Sequence, residues 1–187
     1  MCFRSKSTLS IIGQNDYVRL LKPYDPTNTG KDTLPTGSEH KYSLTGFDYV
    51  SAPQHTFTYA ASMRYGGYYA NGHILTAGAT LGYRVQPYVN MSVYVNYNKL
   101  MLPQPWGDVH FWLVGPRIDV TFTNTLFFTT FFQYNQQTNN VNINTRFQWR
   151  YKPASDLFIV YTDNYYPSPF AVKTRALVLK LNYWWNL

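Results

Sequence analysis

The residue types best able to do chemistry in this chain are its histidines, carboxylates and arginines. Four histidines are present, His40, His55, His73 and His110. None stands at metal-ligand spacing from another histidine, a cysteine or a carboxylate along one strand, and no glycine-rich phosphate loop occurs. The expectation is therefore no metal and no cofactor. Asp108 and His110 are two residues apart, so in a strand both point to one face. A carboxylate that orients an imidazole is the kernel of hydrolase chemistry, and the pair falls near the rim. No nucleophilic-serine motif and no matched second acid accompanies it. The plainer reading puts His110 beside Trp112 in an interfacial band and makes Asp108 the end of a loop, so the chain is read as not an enzyme.

Charge carries more information. The chain has 16 Lys and Arg against 9 Asp and Glu, a net charge of +7. From Ser51 onward there are 10 basic and 4 acidic residues. The basic residues assigned to the polar face of their strands are Arg64, Arg84, Arg117, Arg146, Arg150, Lys152 and Lys180, with Asp119 as an acidic partner. Rings of basic side chains in a pore favour anions. The same residues are equally placed to form a structural network with Asp119 and with acids on strands outside this chain, or to meet phosphate groups at the strand ends. They are spread about one per strand rather than gathered in a patch, which argues against nucleic acid.

The elements that position these residues are strands. In VNINTRFQWRYK, Val141, Ile143, Thr145, Phe147, Trp149 and Tyr151 alternate with Asn142, Asn144, Arg146, Gln148, Arg150 and Lys152, giving one apolar and one polar, cationic face. The same scheme runs through HILTAGATLGYRV, YVNMSVYVNYN and the segment from Trp112 to Phe122, and through a final strand from Leu177 to Leu187. TLFFTTFFQY and DLFIVYT are apolar on both faces, so alternation does not orient them. Asn90-Met91-Ser92 has the form of a glycosylation sequon but falls mid-strand and is read as accidental. No helical period of 3.6 residues emerges.

Two parts are expected. Residues 1–50 form an N-terminal segment with one or two strands, around Tyr17–Leu21 and Tyr42–Val50, about the long polar loop DPTNTGKDTLPTGSEHK. Residues 51–187 carry the remaining strands. Working back from the C-terminus, connections alternate in length: DNYYPSPFAVK long, KPASD short, NQQTNN medium, TNT short, LPQPWGD long, QP short, a tight Asn71-Gly72 hairpin of the type I′ kind, then SAPQ short. Short turns on one side and longer loops on the other are the habit of outer-membrane barrels.

Composition fits that reading. Aromatics make up 19% and charged residues 13% of the chain, against about 25% charged in an ordinary soluble domain. No run approaches the roughly 20 apolar residues a membrane helix needs. Strands of about 9 to 11 residues cross the hydrocarbon when tilted, whereas soluble sandwich strands average about five or six. Aromatics gather near strand ends as interfacial girdles do, among them Tyr83, Tyr88, Trp112, Phe122, Tyr151, Trp184 and Trp185. Cys2 is the only cysteine, so no intrachain disulfide forms. MCFRSKSTLSIIG shows no secretory signal. An exported protein needs one, so the expectation is a mature chain or, preferably, a fragment.

The stretch HFWLVGPRIDVTFTNTLFFTTFFQYNQQTNNVNINTRFQWRYKPASDLFIVYTDN, together with the closing RALVLKLNYWW, resembles the C-terminal barrel of a family of Bacteroidota outer-membrane proteins of poorly defined function. Members commonly join an N-terminal carbohydrate-binding module of the family-nine type to this barrel. The likeness covers about the last 80 residues well and Ala52–Leu102 more loosely. The module is absent here, and the chain ends in Leu187 where many barrels end in an aromatic residue. The resemblance implies an outer-membrane location, transport or surface carbohydrate handling, and passage through the barrel-assembly machinery.

Together these readings predict an all-β, antiparallel up-and-down transmembrane β-barrel of about ten strands in the bacterial outer membrane, possibly part of a larger barrel. Its partners are outer-membrane lipids, lipopolysaccharide and the assembly machinery, with other chains or missing strands completing the wall. The alternative is a small closed barrel with a structural, adhesive or complex-scaffolding role and no pore.

Overall fold

The computed structural model describes residues 6–30 and 32–185. Cys2, Asn186 and Leu187, to which the sequence reading assigned a lone thiol and the end of the last strand, lie outside the described residues. Ten strands follow one another: β1 (Thr8–Arg19), β2 (Glu39–Val50), β3 (Phe57–Gly67), β4 (His73–Val85), β5 (Val89–Met101), β6 (Asp108–Thr123), β7 (Leu126–Asn135), β8 (Asn140–Lys152), β9 (Ser155–Pro167) and β10 (Phe170–Leu181). They form one sheet in sequence order, β1 to β10, an all-β up-and-down arrangement with a single 3₁₀ turn at Tyr69–Asn71. The order is open, and among the described residues the sheet is not closed. Strand lengths run from 10 to 16 residues, long enough to cross the hydrocarbon when tilted and longer than the strands of a soluble sandwich.

Several expected boundaries move. The first strand is not Tyr17–Leu21 but β1, which starts at Thr8 and ends at Arg19. DNYYPSPFAVK is not a long loop: β9 and β10 run to within two residues of each other, Ser168 and Pro169. The final strand begins at Phe170 and stops at Leu181, so Trp184 and Trp185 follow the sheet rather than belong to it. Asn71-Gly72 is not the turn centre either. Ala70 and Asn71 hold the left-handed conformation (φ 53° and 58°), and the Gly72 amide donates to the Tyr69 carbonyl at 2.9 Å. Gly72 is needed for space instead, since a Cβ there would lie 2.4 Å from a Leu102 methyl.

The chain forms two compact units. One holds the described residues up to Thr80 together with Val95–Trp112, the other Leu81–Tyr94 together with the residues from Leu113 onward. In the first unit, register sets Leu9, Ile11, Phe47, Tyr49, Ala61, Met63 and Tyr65 on one face. Ser10, Gln14, Asp16, Asp48, Ser62 and Arg64 lie on the other. Segment 20–38 is held by a bridge between Tyr24 and Leu34 and by the Trp106 indole N–H donating to the Asp32 carbonyl at 2.5 Å. Leu20, Leu34, Leu100 and Leu102 are buried at this end.

In the second unit the pairings orient the two strands that alternation could not. Leu126, Phe128, Thr130, Phe132 and Tyr134 of β7 face with Val141–Trp149 odd residues of β8, and Leu157, Ile159 and Tyr161 of β9 join them. Phe127, Thr129, Phe131 and Gln133 share the polar face with Asn142, Asn144, Arg146 and Gln148. Every residue of β10 is exposed. Among the described residues only five hydrophobic side chains are buried, Leu20, Leu34, Ala52, Leu100 and Leu102, while Ile11, Leu177 and Leu179 are 83, 71 and 69% exposed. A soluble domain of this length buries far more. In each unit the apolar side chains thus gather mainly on one face of the strands, with few of them buried among the described residues.

Candidate functional site

The polar face carries the charges, and register decides which of them meet. In the first unit the aliphatic part of Arg64 crosses over Gly46, where a Cβ would stand 2.7 Å from its Cδ. Arg64 Nη2 then donates to both oxygens of Asp48, at 2.7 and 2.9 Å, while Nη1 donates to the Phe47 and Met63 carbonyls at 2.9 and 3.0 Å. The carbonyl contacts through Nη1 hold the guanidinium in place beside the carboxylate. Thr76 donates to the Asn98 amide oxygen at 2.9 Å further along the same face.

In the second unit Arg117 grips Asp119 through Nε and Nη2 at 2.9 and 3.0 Å, and Thr129 donates to the same carboxylate at 2.9 Å. Arg150 pairs with Asp156 at 3.4 Å, and the Gln148 amide donates to that carboxylate at 3.0 Å. Arg150 also sits over the Phe127 ring, 5.9 Å from its centre. Asp119 is therefore the partner that the sequence pointed to. Asp48 and Asp156 are the partners it missed, both from this chain rather than from strands outside it. Lys152 stands past the irregularity that ends β8, with its ammonium 5.4 Å above the Tyr183 ring. Arg84 lines a cleft of about 580 Å³ with Tyr88, Asn90, Asp119 and Thr121. Tyr88 belongs to the turn there rather than to a strand. Arg146 and Lys180 are exposed, and neither has an ion-pair or hydrogen-bond partner among the described residues.

Between the charges runs a ladder of amides and hydroxyls. Asn142 donates to Asn164 at 2.7 Å, Asn144 to Thr162 at 2.8 Å and Asn164 to Thr174 at 2.8 Å. Aromatic rings fill the same face nearby. Tyr94 stacks on Phe131 with centroids 6.3 Å apart and lies across Gly115, where a Cβ would be 2.1 Å from the ring.

On the apolar face of the second unit lies an ion pair that sequence reading missed. Asp163, fully buried, accepts hydrogen bonds at Oδ2 from the hydroxyls of Tyr161 and Tyr165 and from Arg175 Nε at 2.8 Å. Its Oδ1 has no partner among the described residues. The signal was present, since Asp163 and Arg175 share the parity of the apolar residues of their strands, Ile159 and Tyr161 in β9 and Leu177 and Leu179 in β10. A register shift between Val172 and Thr174 was needed to bring them opposite each other.

The remaining candidates stay apart. Asp108 faces Lys99 at 3.9 Å, while His110 lies beside the Tyr97 ring at 6.3 Å. Among the described residues no three His, Cys, Asp or Glu side chains gather as a metal site would require. Of the proposed girdle, Tyr83, Trp112, Phe122, Trp184 and Trp185 are exposed, and Tyr151 donates to the Asn182 carbonyl at 2.9 Å.

At the far end of the first unit, Asp25 organises segment 20–38. Its two oxygens accept from the Thr27 hydroxyl and amide, at 2.6 and 2.8 Å, and from the amides of Thr29 and Gly30 at 2.9 and 2.8 Å. Burial works to raise the Asp25 pKa, but the Thr27 hydroxyl and the three amides outweigh it and hold the carboxyl below its usual range. Tyr24, His40, Tyr42, Tyr68 and Tyr69 cluster beside it, with centroids 4.8–6.2 Å apart for the contacting rings. Burial, then the neighbouring Tyr24 hydroxyl, pushes the Tyr68 phenol well above its ordinary value.

No family model, curated protein or solved structure matches this chain. Chemically, the polar face is a hydrogen-bonding surface with a cation excess among the described residues.

Proposed function

We propose that this chain forms the wall, or part of the wall, of a transmembrane β-barrel in a Gram-negative outer membrane, with its apolar face in lipid and its polar face lining the interior. The observation that supports the reading is that apolar side chains lie exposed on one face of the strands while only five hydrophobic side chains are buried among the described residues. Side chains such as Leu177, Leu179, Ile159 and Trp149 are well exposed on one face, while the opposite face is laced by cross-strand polar pairs. A soluble protein would bear a large cost for that apolar surface, and a bilayer removes it. Lipid also demands that no strand edge stay open. The wall is accordingly completed either by joining β1 to β10 or by further strands.

Transport is the role this arrangement supports best, because the polar face keeps cations in excess after its ion pairs are formed. The similarity of FFQYNQQTNN and NINTRFQWRY to the Bacteroidota barrel family points the same way and brings surface carbohydrate handling into view. A second reading is a small closed barrel with a scaffolding role, favoured by the packing of Tyr94 and Phe131 over Gly115. Liposome conductance separates the two: channel currents with anions carrying most of the charge support transport, and a folded but electrically silent protein supports the scaffold.

A further inference from the structure

One patch of the polar face breaks its own pattern. Across β8, β9 and β10 the pairings set Arg146 opposite Val160 and Val160 opposite Val178. In the next row Gln148 stands opposite Phe158 and Phe158 opposite Lys180. These six residues make a block two rows deep and three strands wide, with the cations at opposite corners and apolar side chains between them. From strand spacing and rise, the corner Cα atoms are about 12 Å apart on the diagonal, within the combined reach of an arginine and a lysine.

Elsewhere on this face neighbouring side chains satisfy each other, as Asn142–Asn164 and Asn144–Thr162 do. Here they do not. Gln148 is taken up by Asp156, Arg146 and Lys180 have no partner among the described residues, and Val178 is 52% exposed. Arg64, Arg117 and Arg150 each have an acid from this chain, so the cations left over are not randomly placed. They bracket the one apolar floor of β8–β10's polar face.

The geometry points to a binding site for an amphiphilic monoanion, an alkyl or aryl carboxylate, whose head group sits between Arg146 and Lys180 and whose apolar part lies on Phe158, Val160 and Val178. A low-polarity floor strengthens the ion contact relative to one made in open water, and the apolar part gains by leaving water. This deepens the transport reading by naming the solute class, and it rests on that reading only for placing the patch inside a barrel.

The test uses the full chain refolded in a zwitterionic detergent, its heat-dependent gel shift recorded first. Calorimetric titrations then compare octanoate, octylammonium and inorganic phosphate. The site predicts saturable octanoate binding near one equivalent above the micelle background, with octylammonium and phosphate at background. Arg146→Gln, Lys180→Gln and Val160→Asn should each weaken octanoate binding about tenfold, whereas Lys173→Gln, outside the patch, should not. Equal binding of octylammonium would reduce the patch to a greasy surface, and equal binding of phosphate would reduce it to bare charge. Either result, or no octanoate binding by protein that shows the gel shift, overturns the proposal. Octanoate binding with the expected variant pattern but no gel shift would leave the site standing and remove the barrel around it.

Discussion

Gly115 and Tyr94 offer a sharp test of how the polar face is filled. A Cβ on Gly115 would stand 2.1 Å from Tyr94 Cε1, 2.3 Å from Cζ and 2.6 Å from the hydroxyl oxygen. The ring is stacked on Phe131, so it cannot swing aside without giving up that contact. Overpacking costs about 1–3 kcal/mol, and an aromatic pair adds about 0.5–1.5 kcal/mol beyond its buried area. Gly115→Ala should therefore destabilise by about 2–3 kcal/mol. With Tyr94→Ala already in place the clash vanishes, and the relief of glycine's backbone entropy should make the same substitution neutral or favourable by about 0.5 kcal/mol. The coupling from the four-member cycle is then about 2–3 kcal/mol. Urea unfolding in lipid vesicles, followed by tryptophan fluorescence, measures it. A Gly115→Ala cost that is the same in both backgrounds would refute the packing of Tyr94 across the sheet.

Three further outcomes follow from the charged groups. The Asp25 carboxyl is held below its unfolded value, so its contribution is fully present above the unfolded pKa and is lost as pH falls through the folded one; protease sensitivity of segment 20–38 should rise on acidification below about pH 4, and Asp25→Asn should flatten that profile. Asp25→Ala should loosen the segment by about 2 kcal/mol, the value of hydrogen bonds to a charged acceptor, read as faster amide exchange at Thr29 and Gly30. Asp48→Asn leaves Arg64 without its charged partner and should cost about 1–2 kcal/mol after solvent screening. The double variant with Arg64→Gln should recover part of that loss in urea unfolding.

The strands with clean alternation were legible because residue type and parity agree, as in Val141–Tyr151. TLFFTTFFQY was not, because Phe127 and Phe131 turn to the polar face, where a cation and a tyrosine ring receive them. β1 hid behind Gly13 and Asn15, which interrupt the apolar parity of Leu9 and Ile11. The β9–β10 turn was misread because Pro167 and Pro169 suggested a loop, although proline is tolerated where a strand ends. Ion partners were the hardest to foresee. Asp48 and Arg64 are 16 residues apart, and their meeting depends on the register of a hairpin whose turn, although signalled by SAPQ, does not fix which residues pair. Asp163 and Arg175 needed a bulge that no local residue type announced.

The claim on which the account rests is that odd-numbered residues of β8 face lipid and even-numbered ones do not. It is tested most directly by spin labels placed singly, in a Cys2→Ser background, at positions 142 to 148 of protein refolded into liposomes. Labels at Ile143, Thr145 and Phe147 should be relaxed by oxygen dissolved in the bilayer, while labels at Asn142, Asn144 and Gln148 should not. Equal access of a water-soluble nickel chelate to both sets, in a chain that folds without detergent or lipid, would contradict the account.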